Sequence, residues 1–226
     1  MSLEEALNSL KKGEFVLLHD GNTRENEVDM VVAADFIKPE HIARMRKDAG
    51  GLICLSVNHA FANNLGLRYM HDILSSSQGI DQESKKMIIG KAPYGDRPSF
   101  SISINHKNTF TGVTDRDRAL TMSEMASLYK GSSADKKDIF NSSFRTPGHV
   151  PVLIASEGLL ASRLGHTEMS VYLATLAGLS PITAICEMLD SETYEALSAD
   201  KAKRYAMQNA IPYFDGSALV EYAKGH

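Results

Sequence analysis

The chain has 226 residues, a formal net charge of −4, and 23% charged against 43% apolar residues, the balance of a soluble globular protein. No Lys/Arg tract marks a nucleic-acid surface, no apolar run nears the ~18 residues that span a membrane, and the N-terminus lacks a signal peptide's apolar stretch. The length suits one domain over residues 1–226 with a substantial core. Cys54 and Cys186 both lie in apolar runs and read as reduced, buried thiols of a cytoplasmic protein.

Ser2 and Glu5 form a capping-box pattern ahead of Leu3, Ala6, Leu7 and Leu10, so a helix opens the chain and ends near Gly13. Phe15 to His19 and Val28 to Ala34 read as strands. Pro39 starts a second helix, carrying Ile42, Met45 and Arg46, that stops at Gly50 and Gly51. A strand from Leu52 to Val57 and a short helix from Ala60 to Leu65 follow. From Ser75 to Pro98 periodicity is lost, which points to a functional or mobile segment. A strand over Ser99 to Ile104 and a helix over Met122 to Tyr129 precede a polar connection from Gly131 to Pro147. Val150 to Ala155 is a strand and Gly158 to Ser162 a helical turn. Thr167 to Ala177 is a helix ended by Gly178, Ile182 to Leu189 a strand, and Ala199 to Gln208 a late helix. The alternation keeps no steady βαβ rhythm, and the hairpin-like link at residues 20–29 implies antiparallel pairing. The expected fold is α+β: a single domain with a mixed sheet and packed helices.

That link holds Asp20, Glu25, Glu27 and Asp29 beside one cation, Arg24. A turn between buried strands has no structural need for four acids, and crowded carboxylates repel unless something positive binds among them. The segment therefore suggests a metal ion or a proton-transfer site, against the alternative of a solvated acidic loop. Arg163, Leu164, Gly165, His166, Thr167 and Glu168 precede a helix. Gly165 lets a ligand approach the backbone, and free N–H groups with Arg163 beside them would bind a phosphate. His166 could supply a metal ligand or a proton; read alone, it is equally a surface or capping residue, and Thr167 a plain N-cap. Pro147 and Gly148 make a tight turn that places His149 where a catalytic base can be held rigidly, though by itself the motif reads as a turn histidine with no role. Glu187 lies in an apolar strand, where a carboxylate needs a partner unless alternation turns it to solvent. Thr111, Gly112, Val113 and Thr114, followed by Asp115 to Arg118, read either as catalytic or as a turn and helix cap with surface ion pairs.

Together these segments resemble the 3,4-dihydroxy-2-butanone 4-phosphate synthase family. The acidic turn matches at Asp20, Arg24, Glu25, Glu27 and Asp29, the Arg-x-Gly-His-Thr-Glu motif from Arg163 to Glu168, Pro-Gly-His at Pro147 to His149, and Cys-Glu at Cys186 and Glu187. The run from Arg46 to Cys54 and the Thr-Gly-Val-Thr segment from Thr111 fit too. The resemblance implies conversion of D-ribulose 5-phosphate into L-3,4-dihydroxybutan-2-one 4-phosphate and formate, with Mg²⁺ or Mn²⁺, by a homodimer. It implies Glu25 and His166 as metal ligands, and Arg24, Glu25, Asp29, Thr111, Glu187 and the Arg163–Thr167 segment as substrate contacts. His149 and Glu187 fall at positions essential for catalysis, Asp20 and Glu27 are further candidates for proton transfer, and His149 would serve the neighbouring subunit's site. The chain departs from the family pattern at Gly21, Val28, Met169 and Tyr172. A nucleotide- and RNA-binding relative of threonylcarbamoyl-adenylate synthase architecture would need a basic patch that this chain lacks.

Overall fold

The computed structural model describes residues 2–22, 24–132 and 134–225. Side chains alternate across a strand, and here both faces of the sheet are apolar. In β1 (Val16–His19), Val16 and Leu18 join one core and Leu17 the other; in β2 (Val28–Ala33), Val31 joins the first and Met30 and Val32 the second. Such strands read as continuous apolar runs, which is why both were visible in the sequence. With β3 (Cys54–Val57), β4 (Phe100–His106), β5 (Phe144–Ile154), β6 (Ile182–Glu187) and β7 (Tyr213–Asp215) they form a sheet in the order β4-β5-β3-β6-β2-β1-β7. The β1–β7 and β3–β5 pairs are parallel and the other four antiparallel, so the sheet is mixed as expected.

Helices cover both faces. On one, α1 (Leu3–Lys11), α7 (His166–Leu176) and α9 (Gly216–Lys224) set Leu10, Met169, Leu173 and Leu219 on Val16, Leu18, Val31 and Ile185. On the other, α2 (Pro39–Arg44), α3 (His59–Leu65), α5 (Asp115–Lys130), α6 (Lys136–Ser143) and α8 (Ala199–Asn209) pack on Leu17, Met30, Val32 and Leu55. The capping box of α1 forms as read from Ser2 and Glu5. A π-turn over Met45–Ala49 extends α2 to Gly50, whose φ of 90° ends it.

Some elements differ from expectation. Helix α5 begins at Asp115, seven residues before the apolar signal, because Thr114 caps it and its first turn faces solvent. Helix α4 (Met70–Ser76), which buries no residue, lies mostly in the unassigned stretch before Ser75, and α6, which buries only Phe140, lies in the connection read as polar. With so little apolar face, neither has a period to detect. The three-residue β7 and the helix α9 at the C-terminal end were also not anticipated.

Candidate active site

The β1–β2 register aligns Leu18 with Asp29, and the β2–β6 register aligns Asp29 with Glu187. Directly opposed residues of an antiparallel pair have their Cβ atoms about 5 Å apart, so a residue from the acidic turn and one from far along the chain share a face. Within the turn, Asp20 is the organiser. Its Oδ2 accepts from the Glu25 N–H and its Oδ1 from the Glu27 N–H, both at 3.1 Å, while Arg24 Nη1 donates to Oδ2 at 3.1 Å. Asn26 adopts φ 57° and Gly21 φ 94°, left-handed conformations that bend the chain back on itself.

His166, the first residue of α7, is buried and faces the turn. Its Nε2 lies 3.2 Å from the Glu27 carbonyl oxygen. A carbonyl only accepts, so Nε2 carries the hydrogen and Nδ1 turns to Glu25 at 3.4 Å and Asp29 at 3.8 Å. Ligand atoms of Asp20, Glu25 and His166 all lie within 4.8 Å of one another, and the buried Asp29 Oδ1 has no hydrogen-bond partner. This oxygen-rich set with one imidazole fits a hard divalent cation: magnesium by its oxygens, manganese by the histidine.

The surroundings pull the titration of these groups apart. Burial alone would raise the Glu25 carboxyl, but hydrogen bonds from His166 and Tyr94 and the charge of Arg24 hold it at about 2. Burial opposes the charge on His166, yet Asp29, Glu25 and Asp20 raise it to about 9. Burial pushes Asp29 up to about 7; Glu187, Glu25 and Glu27 add to the rise and His166 opposes it. Glu27 is raised by burial and by Glu25. Carboxyls split in this way can act as fixed charge and as proton carrier near neutrality.

Glu187 is half-buried, and its Oε2 accepts the Leu52 N–H at 2.8 Å. A Cβ on Gly51 would fall 2.5 Å from that oxygen, so Gly51 is there to make room. With Glu25, Glu27, Asp29, Cys54, Tyr94, Arg163, His166 and Thr167, Glu187 lines a cavity of about 340 Å³. Beyond Tyr94 and Arg163 lies an outer groove of about 830 Å³ that reaches Asp20 and Arg24. Both cysteines are buried, and burial raises their thiols, Cys186 to about 12.

Gly165 caps α7, and a Cβ there would lie 2.2 Å from Arg163 Nη1. Arg163 folds back over it to donate to Glu168 Oε2 at 2.5 Å, while Glu168 Oε1 accepts the Ser156 N–H. Arg163 Nε is buried without a hydrogen-bond partner. Leu164 is exposed beside it and Thr167 is buried. Two residues missed by the sequence reading reach in from the irregular segment. Asp96 Oδ2 accepts from Arg24 Nε at 2.9 Å, and Arg24 lies 4.7 Å above the Tyr94 ring. Their signal was the Pro-Tyr-Gly-Asp cluster within 75–98, which marked a functional or mobile stretch without naming a residue. Met169 and Tyr172, where the chain departs from the family pattern, pack into the α1–α7–α9 core.

His149 and Thr111 do not join the acidic cavity. His149 is exposed on a bulge of β5, between the Ile104–Val150 and Asn105–Arg145 pairings. Thr111 is exposed in the turn before α5, where its hydroxyl reaches Asp117 at 3.3 Å. Thr114 caps that helix, and Asp115 pairs with Arg46 and Arg118, so the helix-cap alternative describes Asp115 to Arg118.

The sequence profile described as 3,4-dihydroxy-2-butanone 4-phosphate synthase matches residues 4–222. A protein of that name from Methanothermobacter thermautotrophicus is 44% identical over 219 residues, covering 97% of this chain and 94% of the relative. The crystal structure of 3,4-dihydroxy-2-butanone 4-phosphate synthase of Candida albicans is 31% identical, with a TM-score of 0.78, covering 99% of this chain and 97% of that one. A further structure of such a synthase, in complex with two magnesium ions, is 26% identical, with a TM-score of 0.80, covering 100% of this chain and 97% of that one.

Proposed function

The chain belongs to the 3,4-dihydroxy-2-butanone 4-phosphate synthase family, and from that premise we propose which of its residues perform the reaction. The family converts D-ribulose 5-phosphate to L-3,4-dihydroxybutan-2-one 4-phosphate in riboflavin biosynthesis, and this chain is such a carbon–carbon lyase. Five carbons become four, and the remaining carbon leaves as formate.

The observation that carries the site assignment is the convergence of Glu25, Asp20, His166 and Asp29, whose buried Oδ1 makes no hydrogen bond, on one face. Glu25 and His166 Nδ1 hold Mg²⁺, with Mn²⁺ as a substitute. When bound, the ion supplies Lewis-acid stabilisation for negative charge that develops on the sugar oxygens. Arg163, Gly165 and Thr167 take the substrate phosphate, supported by the free N–H groups at the start of the eleven-residue α7 and by Arg163, whose buried Nε makes no hydrogen bond and faces Asp96 Oδ2 at 3.5 Å. Leu164 lines the outer groove beside it. Arg24 and Asp29 bind the sugar.

Enolisation beside the ketone, loss of the C1 hydroxyl, migration of the skeleton and expulsion of formate each move a proton. Asp29, raised to about 7, Glu27, raised by burial above its ordinary value, and Glu187 beside them carry these protons. Asp20 keeps the turn in shape and adds negative charge next to the ion. The enzyme is a homodimer in which His149 and Thr111 complete the neighbour's site; their exposure away from the acidic cavity, beside a Phe110 that is 94% exposed, supports this arrangement. Two buried, unpaired thiols support a cytoplasmic setting. Among the described residues no helix is long and apolar enough to cross a membrane.

Purified protein incubated with ribulose 5-phosphate and Mg²⁺ is expected to release formate, and excess EDTA to stop it. No formate, or formate that persists in EDTA, contradicts the assignment.

A further inference from the structure

The motifs around Thr111 and His149 meet at a side chain that neither contains. Asn105 lies on β4, 3% exposed. The His149 backbone N–H donates to Asn105 Oδ1 at 2.8 Å, and Asn105 Nδ2 lies 3.1 Å from His149 Nδ1. A backbone N–H can only donate, so the amide oxygen is fixed on that side and the NH₂ group faces the ring. An amide NH₂ also only donates, so Nδ1 must accept. In the neutral ring the hydrogen therefore sits on Nε2.

Two glycines hold this amide in place. A Cβ on Gly112, whose φ is 94°, would lie 2.0 Å from Asn105 Nδ2; one on Gly148 would lie 2.0 Å from the Ile104 carbonyl carbon and 2.4 Å from the Asn105 nitrogen. The glycine of the Thr-Gly-Val-Thr segment and that of the Pro-Gly-His turn thus pack against the same residue and its peptide. Any side chain at Gly112 would expel the amide.

We propose that Asn105 is a positioning residue that locks His149 as its Nε2–H tautomer, so that His149 offers the substrate a hydrogen-bond donor rather than the lone pair of a base. A donor serves oxygens that gain negative charge during enolisation. Removal of carbon-bound protons is then left to the carboxylates. This duty for His149 rests on the functional reading above, whereas the tautomer does not depend on it.

Long-range proton–nitrogen NMR of the His149 ring, at a pH where it is neutral and assigned by loss of the signals in His149→Ala, reads the tautomer directly. The expected spectrum places the hydrogen on Nε2. In Asn105→Asp the carboxylate can only accept, and the hydrogen moves to Nδ1. Formate release by that variant should fall about 10²-fold or more in kcat with KM within about twofold. Hydrogen on Nδ1 in the wild-type protein overturns the proposal, as does an Asn105→Asp protein of unchanged melting temperature that keeps near-normal kcat. Should that variant fail to fold, the wild-type spectrum still decides the tautomer. Gly112→Ala, which displaces the same amide, is then expected to show both ring forms and the same kcat loss; one ring form and normal kcat would count against the proposal. Wild-type protein that yields no formate contradicts the functional reading and leaves the tautomer result standing.

Discussion

The turn at residues 20–29 and the turn at residues 111–118 carry similar side chains, acids and arginines beside a buried element, yet they do different work. In the second, Asp117 accepts from the Gly112 N–H at 2.8 Å and from Thr111 and Phe110, and Asp115 is paired with Arg46 and Arg118. Its carboxylates are satisfied, half-buried and lowered in pKa, Asp117 by the Gly112 N–H and Asp115 by Arg46. In the first, one oxygen of Asp29 is buried without a hydrogen bond, its nearest cation being His166 at 3.8 Å, and burial sets Asp29 against a Glu25 held ionised. A count of acids does not separate the two turns. Desolvation and an unmet need for positive charge do.

The largest effect that can break this contrast is Glu25→Ala. Removing the proposed metal ligand should lower formate release by about 10³-fold or more with the fold intact by circular dichroism. Near-normal turnover would place the ion elsewhere.

A second effect concerns the halves of the proposed composite site. Glu25→Ala and His149→Ala chains, each inactive, should recover activity when mixed and reassembled. Half of the dimers are then hybrids with one intact site of two, so about a quarter of wild-type activity is expected. No recovery means that His149 serves its own chain's site or none.

The pH dependence of the metal-free protein follows from the raised groups. His166, raised from 6.5 to about 9, contributes stability that is full below 6.5 and lost as pH rises through 9. Asp29, raised from 3.8 to about 7, likewise stabilises most below 3.8 and loses that contribution as pH rises through 7. Glu25 runs the other way: its contribution is present above 4.5 and disappears as pH falls through about 2. Melting temperatures of metal-free protein should therefore fall between pH 6.5 and 9. Because the ion must displace the proton on His166 Nδ1, magnesium uptake in that window should release close to one proton, read by calorimetry in buffers of different ionisation enthalpy. A flat melting profile and no proton release would show that His166 is already neutral.

The smallest expected effect lies in the other turn. Asp115→Asn breaks its pairs with Arg46, 61% exposed, and with the more buried Arg118, and should cost about 1 kcal/mol in urea unfolding with turnover unchanged.

Much of the sheet was legible because β1, β2 and β6 are buried on both faces and leave apolar runs. Helices α4 and α6 were not, since a helix with one buried residue or none has no stripe to read. The candidate site was legible where its residues stand close in sequence, as in 20–29 and 163–168. Asp96 and Tyr94 were hidden because their meaning lies in a contact with Arg24, about seventy residues away in sequence. Asn105 was hidden because a lone Asn in a strand gives no hint that two glycines, from separate turns, close around it.

The most direct test of the contrast between the turns is Mn²⁺ binding by electron paramagnetic resonance in the wild-type protein, Glu25→Ala and Asp115→Asn. Tight binding that survives in Asp115→Asn and is lost in Glu25→Ala is the predicted result. Equal binding in all three would contradict the assignment of the ion to the 20–29 turn.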